Sequence, residues 1–454
     1  MKNPSSFRDP SGFVFQDENG TIFRQINESY KDNYETLIRS GLYQFLVEQK
    51  LIISHQEIRA STQEKGAYKI IEPYPIKFIS YPYEWCFTQL KDAALATLRI
   101  QKIAIQYGMS LKDASAFNIQ FDAGRPVLID TLSFEIYDPN RPWVAYKQFC
   151  EHFLAPLFLA SIEDLPFNRL MSIYLDGIPI DLASSLIPFI ARFYSPALLH
   201  IYLHAKSQKR FSKRNISEST QRMTKNNLLG LIDNLESGVA KLKPKFRRSQ
   251  WVNYYSDCNY SPEGISHKKQ MVSVYIDKVM PKSVWDFGAN NGIFSQIASQ
   301  KGALTMAFDS DPCVVEENYH QCVKNSDQNL LPLVMDITNP SPALGWKSQE
   351  RLSLIQRGPA DMVLALALIH HLVLFCNLPF TEIASFFSEI CRNLIIEFVP
   401  KSDSQVKEIF LSKPDIYVSY DEQTFHEVFS RYFVILDRVK ITNSNRVLYL
   451  MQKK

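Results

Sequence analysis

The stretch VWDFGANNGIFSQIASQKGALTMAFDSD, residues 284–311, decides how the C-terminal half of this chain folds. Val284 and Trp285 close an apolar run, and Asp286 falls where a buried strand should stop. Gly288-Ala289-Asn290-Asn291-Gly292 must then turn sharply, and Ile293 to Ser299 carries helical spacing. Ala303 to Phe308 is apolar again and ends on Asp309, about 20 residues past the turn. Strand, glycine turn, helix, strand and terminal acid is the layout of a nucleoside-binding α/β unit.

A nucleoside lying over the carboxyl ends of parallel strands needs close backbone approach, which Gly288 and Gly292 allow because they have no Cβ. It needs free N–H groups at a helix start. It also needs an acid that takes two ribose hydroxyls, and Asp309 is placed for that. A dinucleotide site would read Gly-x-Gly-x-x-Gly. Here the order is Asp286-x-Gly288-x-Asn290-x-Gly292.

With an acid before the first glycine, the segment resembles the class I S-adenosylmethionine-dependent methyltransferases, whose first motif is an acid followed by glycines at alternate positions. The match covers Asp286, Gly288 and Gly292, with Asn290 replacing the middle glycine. Asn tolerates left-handed backbone better than most residues. Downstream, Leu331 to Asp336 resembles the third strand, Ala360 to His371 the fourth strand running into its loop, and Asn393 to Val399 the fifth. Phe433 to Val439 and Arg446 to Met451 resemble the closing antiparallel pair.

The resemblance spans roughly residues 250–454 and implies a Rossmann-like, seven-stranded α/β methyltransferase sheet with S-adenosyl-L-methionine as cofactor and no metal. It implies that Asp286, Gly288, Ala289, Asn290 and Gly292 cradle the methionine and ribose part. Asp309 and Ser310 would lie at the ribose, with Asp311 as the alternative acid. Asp336 and Ile337 would hold adenine, and Ala365 would end the fourth strand beside the cofactor.

Methyl transfer is an in-line displacement, so the protein mainly positions the nucleophile and accepts its proton. His370 and His371 fall in the loop after the fourth strand, and His370 is the candidate base. Adjacent residues on a strand point opposite ways, so one of the pair at most should face the cofactor. The other reading has one histidine capping an element and the other packed under a loop. No Asn/Asp-Pro-Pro-Tyr or Pro-Cys follows the fourth strand, which argues against exocyclic amino and cytosine C5 methylation. A Lys-Asp-Lys-Glu set for ribose hydroxyls lacks its Asp, since Leu366-Ala367 stands there. Glu397 and Lys401 are expected near the cleft, as substrate ligands or as a surface pair. Lys268 and Lys269 fall on the helix leading into the first strand, with Tyr254, Tyr255 and Tyr260 upstream as an aromatic lid or as packing.

At 454 residues the chain should hold two or three domains. A net charge of +3 gives no global signal for nucleic acid, and the 7 cysteines show no metal or disulfide spacing. The start, MKNPSSFRDPSGF, has no apolar signal core, so a cytoplasmic protein is expected. The longest apolar stretch, Leu182 to Ala205, is interrupted by serines, Arg192 and two prolines and reads as buried helices, not a membrane span.

Three regions follow: an α+β region over 1–205, a basic connector over 206–250, and the methyltransferase-like region over 251–454. The connector holds Lys206 to Arg214 and Lys241 to Arg248, with a short amphipathic helix at Leu228 to Leu235 between them. It reads as a solvated linker in preference to a nucleic-acid surface.

In the first region, Leu111-Lys112-Asp113 is followed by Asn118 and by Pro126-Val-Leu-Ile-Asp130. That spacing resembles the catalytic loop and metal-binding acid of the kinase-like phosphotransferases. A long helix, Leu90 to Tyr107, precedes it, and Gly12 to Phe15 with Thr21 to Gln25 reads as a hairpin. There is no glycine-rich loop or Val-Ala-Ile-Lys strand, and Thr131-Leu132 follows Asp130 in place of Phe-Gly. Docking or scaffolding is the favoured use of this region. Methyl transfer to an unidentified acceptor, whether small molecule, glycan, protein or RNA, is the reading of the whole. The alternatives are a non-catalytic scaffold on a degenerate cofactor fold and a phosphotransferase using Asp113, Asn118 and Asp130.

Overall fold

The structure is a computed structural model that describes residues 2–58, 66–164, 166–188, 201, 223–245, 260–412, 417 and 419–454. The chain divides into two compact units, one of Met1–Arg247 with Ala343–Arg351, the other of Arg248–Pro342 with Leu352–Lys454.

The first unit starts with strands β1 (Gly12–Gln16), β2 (Ile22–Asn27), β3 (His55–Ile58) and β4 (Ala67–Pro73). They form an antiparallel sheet in the order β1-β2-β4-β3. The expected hairpin is β1 and β2, paired from Gly12 opposite Ile26 to Gln16 opposite Ile22. The long helix runs Phe87–Gln106 and buries Leu90, Ala94, Leu98, Gln101 and Ile105 along one stripe. It leads into β5 (Met109–Leu111), β6 (Ile119–Asp122), β7 (Arg125–Leu128) and β8 (Phe134–Ile136), with β6 and β7 forming a tight antiparallel pair.

Two features of this unit depart from the sequence reading. The short helix expected at Leu228 to Leu235 is 17 residues long, Lys225–Lys241, and is part of the unit itself. Lys102 on the long helix pairs with Asp233 at 2.5 Å, and Lys91 Nζ donates to the carbonyls of Ala240 and Leu242. The second departure is Ala343–Arg351, which lies in sequence within the second region but belongs to the first unit. Arg8 donates through Nε and Nη2 to Glu350, and the Arg351 guanidinium lies 4.5 Å from the centre of the Phe117 ring. The basic run Lys206 to Arg214 and Tyr254 and Tyr255 lie outside the described residues, as do residues 189–200 of the apolar stretch. No helix among the described residues is long and apolar enough to cross a membrane.

The second unit is a seven-stranded sheet of β9 (Ser283–Phe287), β10 (Leu304–Asp309), β11 (Leu330–Val334), β12 (Ala360–Ala365), β13 (Cys391–Phe398), β14 (Phe433–Lys440) and β15 (Val447–Lys453). Their order is β11-β10-β9-β12-β13-β15-β14. Pairing is parallel from β11 through β13, while β15 runs antiparallel to both β13 and β14. This is the expected Rossmann-like methyltransferase sheet. The strands read as near-continuous apolar runs because both faces are covered. On one face Val272, Tyr275 and Ile276 of helix Pro262–Val279 and Phe294 and Ala298 of helix Ile293–Gln300 pack onto Val284, Met362, Leu364 and Ile395.

The chain steps outward from β9 to β11 and then returns to place β12 on the other side of β9. The carboxyl end of β9 is therefore a topological switch point, where α/β sheets leave a crevice. In β14 and β15, Lys440 pairs with Val447, and Val447 also pairs with Phe398. The turn 441–446 consequently sits at the same sheet edge as the loop that follows β13.

Candidate functional site

The turn after β9 is built from left-handed backbone at every second residue: φ is +72° at Gly288, +51° at Asn290 and +80° at Gly292. The amides of Gly288 and Ala289 both donate to the Phe308 carbonyl, at 2.9 and 3.0 Å, which fastens the turn to β10. A Cβ on Gly292 would lie 2.4 Å from Asn318 Oδ1, so glycine is required there by space as well as by φ. Asn290 takes the middle left-handed position and accepts the Asn291 amide on its own side-chain oxygen at 2.8 Å. Helix Ile293–Gln300 then starts at Gly292 without a side-chain cap, leaving its first N–H groups at the crevice.

Asp309 ends β10 and is half-buried. Its carboxylate accepts the Asn290 amide at 2.9 Å and the Asp311 amide at 3.0 Å. Burial pushes its carboxyl up to about 6 against those bonds. Asp311 instead caps the next helix by accepting the Cys313 amide at 2.8 Å, and Ser310 is exposed between them. Asp286 is buried and accepts from Ser295 Oγ at 2.6 Å, with its carboxyl pushed up to about 7 by burial. It therefore ties the turn to the following helix. The backbone at Gly288, Ala289, Asn290 and Gly292, with Asp309 alongside, forms a cradle that fits a ribose and an amino-acid group.

Asp336 lies two residues beyond β11 and accepts the Thr338 amide at 2.8 Å and its hydroxyl at 2.7 Å, so it shapes its own turn beside Ile337. Ala365 is the buried last residue of β12. The fourth strand thus ends at Ala365, and His370 and His371 fall in the loop after it as expected. The strand stops because Ala367 takes φ +51°. His370 and His371 stand in the helical turn that follows, so they do not point opposite ways. Their ring centres lie 4.2 Å apart, with the ring planes tilted by 39°. The same loop reaches the glycine turn, since Leu368 Cδ1 lies 3.4 Å from where a Gly288 Cβ would be.

His370 is 1% exposed, and neither ring nitrogen has a hydrogen-bond partner among the described residues. Burial, then His371, Arg446 and Lys268, hold its pKa well below that of free imidazole. An imidazole buried with both nitrogens unsatisfied is costly, about 1–3 kcal/mol per atom. It is a position prepared for another hydrogen-bonding group.

Of the two readings of Glu397 and Lys401, as substrate ligands or as a surface pair, the structure rules out the surface pair. Glu397 is fully buried and pairs with Lys268 at 2.6 Å, while Lys401 lies over the Phe410 ring. Tyr260 is the hub of this network. Its hydroxyl donates to Glu397 and accepts from Lys268 Nζ at 3.1 Å and Arg446 Nη1 at 2.8 Å. Arg446 also forks onto Asp403 through bonds of 2.8 and 3.0 Å. Burial alone would raise the Glu397 carboxyl, but Lys268 and Arg446 outweigh it and hold the group ionised. Burial lowers Lys268 against the pull of Glu397.

The network was not foreseen, although its signals are in the sequence. Lys268 sits four residues before Val272 on the buried stripe of its helix, and Glu397 interrupts the run Leu394-Ile395-Ile396 before Phe398. Beside it a polar cleft of about 700 Å³ is lined by Ser402, Asp403, Ser404, Thr442, Asn443 and Asn445 among others.

In the first unit, Asp113, Asn118 and Asp130 come together. Asn118 hydrogen-bonds Asp113 and reaches Ser133 at 3.4 Å, and Ser133 Oγ donates to Asp130 at 2.7 Å. No group of three or more His, Cys, Asp or Glu among the described residues is placed to hold a metal. No disulfide joins the described cysteines.

No protein-family model matches the chain. Among solved structures, the N-methyltransferase NodS from Bradyrhizobium japonicum WM9 is 8% identical with a TM-score of 0.33, covering 42% of this chain and 98% of that one. Magnesium protoporphyrin IX methyltransferase (ChlM) from Synechocystis PCC 6803 with bound SAM is 18% identical with a TM-score of 0.31, covering 45% and 89%. The bifunctional kinase-methyltransferase WbdD is 16% identical with a TM-score of 0.32, covering 44% of this chain, which spans only 41% of WbdD. At these values the three say nothing about activity. Nodulation protein NoeA of Rhizobium meliloti (strain 1021) is 33% identical over 459 residues, covering 99% of this chain and 95% of NoeA. An alignment of that length takes in both units, and the chain belongs to the NoeA family.

Proposed function

We propose that the second unit transfers a methyl group from S-adenosyl-L-methionine to a nucleophile presented at the loops after β12 and β13. The observation that supports this most is the pairing of Asp309 with the left-handed turn at Gly288, Asn290 and Gly292 at the switch point of the sheet. Asp309 accepts the ribose hydroxyls, the close-approaching backbone of the glycine turn and the start of helix Ile293–Gln300 face the methionine part, and Asp336 with Ile337 borders adenine. When bound, the cofactor supplies a methyl group on a sulfonium sulfur. Transfer there would break the carbon–sulfur bond as the bond from the acceptor atom forms, and the residues named above would hold the group in place for it.

The chain's own contribution is position and proton acceptance. His370 is neutral and buried, its loop touches the glycine turn through Leu368, and one ring nitrogen takes the acceptor's proton. Tyr260, Lys268, Glu397 and Arg446 fix the wall beside it, and the polar cleft over Asp403 and Thr442 admits the acceptor. The mostly uncharged lining of that cleft, with Ser402, Ser404, Thr442, Asn443 and Asn445, fits a small or neutral polar acceptor better than a nucleic acid.

Isothermal titration of the full chain with S-adenosylhomocysteine tests this. Binding that is weakened by Asp309→Ala is expected, and no detectable heat with the intact protein would sink the reading.

A further inference from the structure

Asp130 occupies the position at which the sequence leads one to expect a metal-binding acid, and the structure shows what it binds instead. Arg24, from the middle of β2, places Nη1 2.6 Å from Asp130 Oδ1. Its Nη2 lies 3.0 Å from Asp9 Oδ2, just ahead of β1. Only 12% of the Arg24 side chain and 13% of that of Asp130 are exposed. The remaining acceptor capacity of Asp130 is also used, by the Leu132 amide at 3.0 Å and by Ser133 Oγ at 2.7 Å.

A divalent cation of the magnesium or calcium type needs several oxygen ligands turned toward it. Here both oxygens of Asp130 already have partners inside the chain, and the nearest cation is a guanidinium that cannot be deprotonated. Asp113 stands on the far side. Burial first, and then the charge of Asp130, raise its carboxyl. Lys112 does not help, because its ammonium donates to Ser11 at 2.6 Å and lies over the Tyr30 ring. Arg24 Nε is buried without an acceptor. The side chain is therefore held for its charge at a price in hydrogen bonding. Leu132, at the position of the expected glycine, is fully buried with Ile26, Tyr30, Tyr34 and Ile71, which anchors the loop after Asp130 against the sheet.

The residues do not fit a resident metal. We infer that Asp9 and Asp130, beside Asp113 and Asn118, form a cation site that this chain fills with its own Arg24, so that the first unit is closed without metal or nucleotide. The guanidinium ties β2, the segment before β1 and the loop after β7 at one point, as a bound divalent ion would. A unit built this way presents a fixed surface and carries no phosphoryl transfer at Asp130.

The test uses the full chain and manganese. In the wild type, Mn²⁺ with or without ATP should leave the melting temperature unchanged, and electron paramagnetic resonance should show no protein-bound Mn²⁺. In Arg24→Ala the melting temperature should drop, and Mn²⁺ should raise it again by about 5–10 °C once about 100-fold above its dissociation constant. The Arg24→Ala/Asp130→Asn double variant should lose that recovery. Arg24→Lys keeps a cation in place and should remain indifferent to metal. Bound Mn²⁺ in the wild type that disappears in Asp130→Asn would overturn the inference. So would an Arg24→Ala protein that gains no metal affinity. If Arg24→Ala does not fold, the wild-type resonance measurement and Arg24→Lys still decide it: a metal response in either overturns the inference, and none in both upholds it.

Discussion

Asp309 Oδ2 accepts the backbone amide of Asn290 at 2.9 Å, so the acid that ends β10 holds the middle of the turn that ends β9. The two strands are thereby locked at the point where a ribose would lie. Replacing Asp309 by alanine removes both the brace and the ribose acceptor. A hydrogen bond to a charged group contributes about 1.5–3 kcal/mol, so S-adenosylhomocysteine affinity should fall by roughly ten- to a hundredfold. Titration calorimetry checks this, and an unchanged dissociation constant would show the ribose to be elsewhere.

The same carboxyl gives a pH dependence. Burial raises Asp309 to about 6, and ribose hydroxyls donate more strongly to its ionised form. Binding is therefore at full strength above pH 6 and weakens as pH falls through 6. Asp286, raised to about 7, acts on stability with the opposite sense to a salt-bridged acid. The folded state holds its proton more tightly than the unfolded chain, so its contribution is lost as pH rises from about 4 to 7. Calorimetry between pH 5 and 8 separates the two, because Asp309→Ala flattens the binding profile while the loss of stability from Asp286 up to pH 7 remains.

Gly292→Ala should damage the turn more than its single methyl suggests. The new Cβ would meet Asn318 Oδ1 at 2.4 Å in a left-handed backbone. Together these cost about 2–5 kcal/mol. The variant should melt lower and bind no S-adenosylhomocysteine. Adding Asn318→Ala should recover part of the melting temperature, since it removes the overlap and leaves the strain.

Lys268→Met would leave Glu397 charged and fully buried, which costs about 3–5 kcal/mol. The double variant Lys268→Met/Glu397→Leu should regain most of that stability, because Arg446 keeps Asp403 and no unpaired buried charge remains. Urea denaturation of the two variants measures the difference. Equal loss in both would mean that the pair contributes as packing alone.

His370→Leu carries opposite signs for stability and activity. Removing two buried, unpartnered nitrogens should raise the unfolding midpoint, by roughly 1–3 kcal/mol. S-adenosylhomocysteine binding should stay near wild type, while transfer of labelled methyl to acceptors in a cell extract should be lost. A destabilised variant with full transfer would show that His370 is a packing residue.

The sequence by itself determined the second unit closely. Alternating Gly288, Asn290 and Gly292 between two apolar runs, with Asp309 at the second run's end, are local patterns that backbone geometry converts directly into a strand, turn and helix. The hairpin of β1 and β2, the long helix before Asp113 and the closing pair β14 and β15 were legible for the same reason, as each depends on neighbours in the chain. Tertiary structure alone decided the rest, because those contacts join residues far apart in sequence. Glu397 finds Lys268 across 129 positions, and Arg446 finds Tyr260 across 186. Ala343–Arg351 leaves its sequence neighbours for the first unit. Whether Asp130 holds a metal or Arg24 could not be read from either residue's surroundings in the chain. It depends on β2 pairing with β1 and β4 and so aiming one guanidinium at a loop more than a hundred residues away.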